Sequence, residues 1–167
     1  AGSREAADLS AVGVRAVTTY RVYCDGACEP VNPGGTGTYG FVILNERGTE
    51  KESGHGLVGS GPTISNNVAE YMSAAAGMRA VARLVVPGDR VLIFGDNQMW
   101  VNQLNGSWKV RGGLYVTAFL EAKDALKHLL SLGVSVAIRW IPREENRRAD
   151  ELSKQALKAV GVTVKTH

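Results

Sequence analysis

Thr19-Tyr20-Arg21-Val22-Tyr23-Cys24-Asp25-Gly26 is the stretch on which the fold turns. Aromatic and β-branched residues alternate along it, the pattern of a strand with two unlike faces. An aspartate closes the alternation. Outward from it, Asn32-Pro33-Gly34-Gly35 reads as a turn. Residues 37–45 read as a second strand, Glu46-Arg47-Gly48 as a hairpin loop, and a third strand follows at about 50–58. These three make an antiparallel meander.

Beyond it the period changes. From Asn67 to Val85, apolar residues recur at spacings of three and four, and Pro87-Gly88 closes this helix. Residues 90–95 form a short apolar run that suits a buried strand. Residues 97–104 and 113–131 read as helices, 134–141 as a strand stopped by Pro142, and Asn146 to about Val160 as a last helix. The order is βββ-α-β-α-α-β-α. Helix-linked strands favour parallel pairing and hairpin-linked strands antiparallel pairing. The expectation is an α/β fold with one five-stranded mixed sheet flanked by helices.

The bulk properties agree. The chain has 167 residues, enough for one domain with a real core, and its 44% hydrophobic and 21% charged content is ordinary for a globular protein. We expect residues 19–161 to be that domain, residues 1–18 a flexible extension and 162–167 a tail. The net charge of +3 permits a nucleic-acid partner without demanding one. Cys24 and Cys28 are too few and too close for a disulfide framework or a four-ligand zinc site, and are read as reduced thiols. No apolar run has the length of a membrane span, and the first 18 residues lack a signal-peptide pattern. A soluble, cytoplasmic monomer is expected.

Four acids stand at element ends: Asp25, Glu70, Asp96 and Asp150. Each has a structural explanation. Asp25 before Gly26 could open a turn. Glu70, three residues after Asn67, fits a capping-box pattern. Asp96 could cap a helix, and Asp150 suits the positive end of the last helix. Capping does not require them to meet, however. Ligand sites collect outside the carboxyl ends of parallel strands, and carboxylates that converge there repel unless metal ions hold them.

These residues closely resemble type 1 ribonuclease H. The pieces are Asp25-Gly26 with Asn32-Pro33-Gly34, Asn67-Val68-Ala69-Glu70, Asp96-Asn97-Gln98 and Asn146-Arg147-Arg148-Ala149-Asp150, all in family order over about residues 19–160. The resemblance implies a ribonuclease H-like fold with strand order 3-2-1-4-5. It implies cleavage of the RNA strand of an RNA–DNA hybrid by a two-metal mechanism, leaving 5′-phosphate and 3′-hydroxyl ends. Asp25, Glu70, Asp96 and Asp150 would hold two Mg²⁺ ions, with Asp25 bridging them and Mn²⁺ able to substitute. Asn32, Asn66, Asn67 and Gln98 match positions that line the hybrid's minor groove, and Gly26, Cys28 and Ser65 are further candidates for substrate contact. The side-chain amides among them can donate to and accept from a 2′-hydroxyl. Asn32 and Asn67 also suit turn and cap chemistry, and Thr63 and Ser65 could hold a DNA phosphate.

The chain departs from many family members in two places. The loop Pro142-Arg143-Glu144-Glu145-Asn146 has no histidine. Arg143 takes its place as a candidate substrate-side cation that cannot act as a base, or else it pairs with a neighbouring glutamate. This loop looks like that of the archaeal branch. A basic, Trp-rich protrusion is also missing. Trp108, Lys109 and Arg111, on a short stretch, could touch the DNA backbone, whereas Trp100, with Val101 and Leu104, reads as core. Two other functions compete: a non-catalytic hybrid- or RNA-binding module, and another metal-dependent nuclease of the same superfamily.

Overall fold

The computed structural model describes residues 16–163. Five strands, β1 (Thr19–Glu29), β2 (Thr36–Leu44), β3 (Glu50–Ser60), β4 (Arg90–Gly95) and β5 (Ser135–Trp140), form one sheet in the order β3-β2-β1-β4-β5. Four helices, α1 (Asn66–Ala82), α2 (Gln98–Leu104), α3 (Val116–Ser131) and α4 (Arg147–Ala159), connect or follow them, and a short 3₁₀ turn spans Arg143–Glu145. β1–β2 and β2–β3 are antiparallel; β1–β4 and β4–β5 are parallel. The expected architecture and strand order are therefore present. Most of the expected extension and tail lie outside the described residues. Thr18, at the extension's end, is tied to the sheet: its N–H donates to Asp89 Oδ1 at 3.1 Å and its carbonyl accepts from Arg90 at 2.9 Å.

The period-two pattern of β1 sorts its side chains between two layers. Tyr20, Val22 and Cys24 enter the larger core, beneath α1 and α3. α1 is buried on nearly every side because it lies between the sheet and α3. Small residues, Ala69, Ala74, Ala75, Gly77 and Ala80, make that close packing possible. On the other face α4 covers β1 to β3 with Ala149, Leu152, Ala156 and Leu157. Thr38 Oγ1 fastens it by donating to the Ser153 carbonyl at 2.8 Å.

Several boundaries differ from the sequence reading. β1 does not stop at Asp25. It leaves β4 after Tyr23 but stays paired with β2 to Glu29, so Asp25 sits in a strand rather than a turn. Nor do Asn67 and Glu70 form a capping box. Ser65 is the N-cap of α1, its Oγ accepting from Val68 N–H at 3.2 Å. α1 ends at Ala82, short of Pro87, where Arg83, Leu84 and Val85 close a final turn onto Ala80 and Val81. Asp96 caps nothing, because the Asn97 side chain accepts from Met99 and Trp100 N–H and starts α2. α3 begins at Val116, three residues later than expected.

Candidate active site

The sheet register brings the first two acids together. β1 and β4 are in step to Tyr23↔Phe94, and Asp25 and Asp96 each lie two residues further on. α1 then returns over β1 and delivers Glu70. A close approach fixes its placement: a Cβ on Gly26 would stand 2.4 Å from the Ala69 carbonyl carbon, so only glycine lets the helix start lie on the strand. Gly26 N–H donates to Glu70 Oε1 at 2.9 Å and to Asp25 Oδ1 at 3.0 Å. The second Glu70 oxygen accepts from the Trp100 indole N–H at 2.9 Å.

One oxygen each from Asp25, Glu70 and Asp96 lies within 4.8 Å of the others. Asp25 and Glu70 are buried and Asp96 half-buried. Burial raises all three above the usual carboxylate range. In Asp25 the negative charges of Glu70, Asp96 and Asp150 add to it. Glu70 is pushed up to about 7, with hydrogen bonds from Asp25, Gly26 and Trp100 pulling the other way. Asp96 rises less freely, because Asn146 and the charge of Arg143 favour its ionised form.

Asp150 borders the same cleft of about 550 Å³. Its Oδ2 is held by Lys154 Nζ at 2.9 Å, one helical turn on, outside the three-acid cluster. Asp25 and Asp96 both experience its charge. Arg143 also lines the cleft, facing Asp96, and no ion pair between it and a glutamate occurs among the described residues.

The donor set fits a hard divalent cation. It consists of carboxylate oxygens at mutual distances a single ion can span, and their repulsion is a cost that such an ion would remove. Among the described residues no imidazole or thiolate joins them. Cys28 lines the cleft, but its Sγ–H donates to the Val31 carbonyl at 3.2 Å.

The other expected site residues divide. Gly26, Asn32 and Asn66 line the cleft, where Asn32 Oδ1 accepts from Asn66 N–H at 2.8 Å. Asn67 stands one step back, its Oδ1 accepting from Asn97 Nδ2 at 3.3 Å, and Asn97 itself lines the cleft. Ser65 is occupied as a helix cap. Gln98 is exposed on α2 outside the cleft, as are Trp108 and Lys109 on the following loop. That loop is held from below by Gln103, whose Nε2 donates to the Lys109 carbonyl at 3.0 Å and whose Oε1 accepts from Tyr71 Oη–H.

Four contributors are missing from the sequence reading. Lys154 had a readable signal, four residues past Asp150 on a helix. Asn97 stands within the Asp96-Asn97-Gln98 motif. Asn146, the first residue of its motif, donates through Nδ2 to the Cys24 carbonyl at 2.9 Å and Asp96 Oδ2 at 3.2 Å. Trp100 had no signal as a Glu70 partner, since only folding brings residues 30 positions apart together.

Residues 23–156 match the family model described as Reverse transcriptase-like. A ribonuclease H of Granulibacter bethesdensis is 31% identical over 81% of this chain and 89% of its own length. Ribonuclease HI of Halobacterium salinarum is 30% identical over 81% of this chain. Its crystal structure superposes with a TM-score of 0.72, at 26% identity over 84% of this chain and 98% of that one. LC11-RNase H1, solved in complex with an RNA/DNA hybrid, gives 0.73 at 25% identity over 84% of this chain and 98% of that one. The chain spans about a third of the length of a bifunctional Mycobacterium tuberculosis protein to which it is 30% identical. With a family model that covers most of its length and a ribonuclease H relative matched nearly end to end, this chain belongs to the ribonuclease H family.

Proposed function

We propose that the protein is an endonuclease that hydrolyses the RNA strand of RNA–DNA hybrids, using two divalent cations, Mg²⁺ by preference with Mn²⁺ able to substitute. The convergence of Asp25, Glu70 and Asp96 within 4.8 Å, with Asp150 on the same cleft, carries this reading. A pure binding module would gain nothing from buried negative charge where phosphates must approach. Asp25, which the family resemblance places between the two ions, faces the negative charges of Glu70, Asp96 and Asp150. Ions held by these four acids would lower the pKa of an attacking water and stabilise the departing 3′-oxygen, leaving 5′-phosphate and 3′-hydroxyl ends.

The chain's own residues supply orientation and selectivity. Asn32, Asn66 and Asn97 present amides along the cleft wall, and an amide can both donate to and accept from the 2′-hydroxyl that separates RNA from DNA. Arg143 and Lys154 border the acids, and a guanidinium and an ammonium are suited to phosphate oxygens. Arg143 offers N–H donors and no acceptor, so its part is electrostatic and hydrogen-bonding rather than that of a general base.

The test is cleavage of labelled RNA–DNA hybrid, double-stranded DNA and double-stranded RNA, with Mg²⁺ or EDTA, beside Asp25→Asn. The reading requires hybrid cleavage that disappears with EDTA and with Asp25→Asn. Hybrid binding without cleavage would favour a binding module, and cleavage of DNA alone another nuclease of the superfamily.

A further inference from the structure

We infer that Trp100 is a positioning residue of the metal site, its indole N–H fixing the Glu70 carboxylate so that the oxygen cluster is assembled before a cation arrives. This rests on the metal-binding part of the proposed function. The indole is fully buried, and its Nε1 lies 2.9 Å from Glu70 Oε2. The other oxygen of Glu70 takes the Gly26 backbone N–H, also at 2.9 Å. Each oxygen is therefore held by a donor that cannot swing away: a strand backbone and a ring locked in the core.

The need for such a hold follows from the charges. A glutamate side chain has three rotatable bonds, and this one faces Asp25 and Asp96. Left free, it would turn away from like charge. An indole nitrogen donates and never accepts, so it favours the ionised carboxylate and takes no proton from it. The protein has also made room for the ring. A Cβ on Gly95 would stand 2.0 Å from the indole Cζ2. Gly95 immediately precedes Asp96, so the same interlock seats two of the three clustered acids.

A ring that only filled the core would not need its N–H aimed at a ligand. Trp100→Phe separates the two roles, because it keeps most of the apolar ring and deletes the donor. Partners of metal ligands typically contribute 10- to 100-fold in metal affinity.

The experiment is calorimetric titration of Mn²⁺ into the wild type, Trp100→Phe, Glu70→Ala and the double variant, with thermal unfolding as the check on folding. Trp100→Phe should bind Mn²⁺ about tenfold or more weakly. In the Glu70→Ala background the same change should make no further difference. Equal affinity in wild type and Trp100→Phe would overturn the indole's role alone; a wild type that binds no Mn²⁺ would overturn the metal site and the indole's part in it. Should Trp100→Phe not fold, ¹⁵N spectra of the wild type and Glu70→Ala decide. The Trp100 indole N–H resonance, the one that survives both Trp108→Phe and Trp140→Phe, should shift on removal of the carboxylate, with that of the exposed Trp108 unmoved. An unmoved Trp100 resonance overturns the proposal.

Discussion

Asp25, Glu70 and Asp96 gather negative charge where burial has removed most of the water that would screen it. The folded chain therefore binds protons that the unfolded chain would release. The stability linked to these groups is fully present below the unfolded carboxylate range, about pH 4, and is lost as pH rises through the folded values, about 7 for Glu70. Metal-free protein should accordingly be less stable than Asp25→Asn at pH 8, by roughly 1 kcal/mol or 2–4 °C in Tm, with the gap closing towards pH 5. Thermal unfolding in EDTA at the two pH values checks this, and a gap that widens at pH 5 would contradict it. Mg²⁺ should raise the wild-type Tm more at pH 8 than at pH 5, since only the ionised cluster binds it. Lys154 supplies a smaller compensation. Its pair with Asp150 is half-exposed and worth a few tenths of a kcal/mol, so Lys154→Met should change stability little while altering hybrid cleavage, measured as kcat.

The elements decide which residues are free for chemistry. Ser65 and Asn97 cap α1 and α2, and this releases Glu70 and Asp96 from the capping roles their positions suggested. Ser65→Ala should cost about 1 kcal/mol in urea unfolding, whatever it does to hybrid binding. Gln103, on α2, anchors the loop that carries Trp108 and Lys109. Gln103→Ala should leave the buried Tyr71 hydroxyl unpartnered, costing roughly 1–3 kcal/mol, and should speed amide exchange between residues 105 and 113. Exchange there at the wild-type rate would mean that the loop is held by something else. The acids, their order and their elements were legible in the sequence because each stands in a short motif at a period change. The caps were not. Ser65 and Asn97 compete with neighbouring Asn67 and Asp96 for the same helix ends, and backbone geometry at the first turn picks the winner.

Over the whole molecule, the charge of +3 and the short loop after α2 imply that the proposed hybrid binding is carried by phosphate contacts. Affinity for hybrid should fall steeply between about 50 and 200 mM salt, measured by anisotropy with an Asp25→Asn protein in Mg²⁺. Salt-insensitive binding would contradict it. Read alone, the sequence determined the βββ-α-β-α-α-β-α order, the family resemblance, and the four acids with their amide neighbours, because periodicity and short motifs are local properties of a chain. The tertiary structure decided what depends on distance between remote residues. It continued β1 past Asp25 on β2 while ending its pairing with β4 at Tyr23, so that Asp25 and Asp96 come level. It turned Trp100 from packing alone to holding Glu70. It left Asp150 on Lys154, beside a cluster of three acids rather than within a cluster of four. Side-chain reach and register fix such relations, and both exist only once strands pair and helices dock.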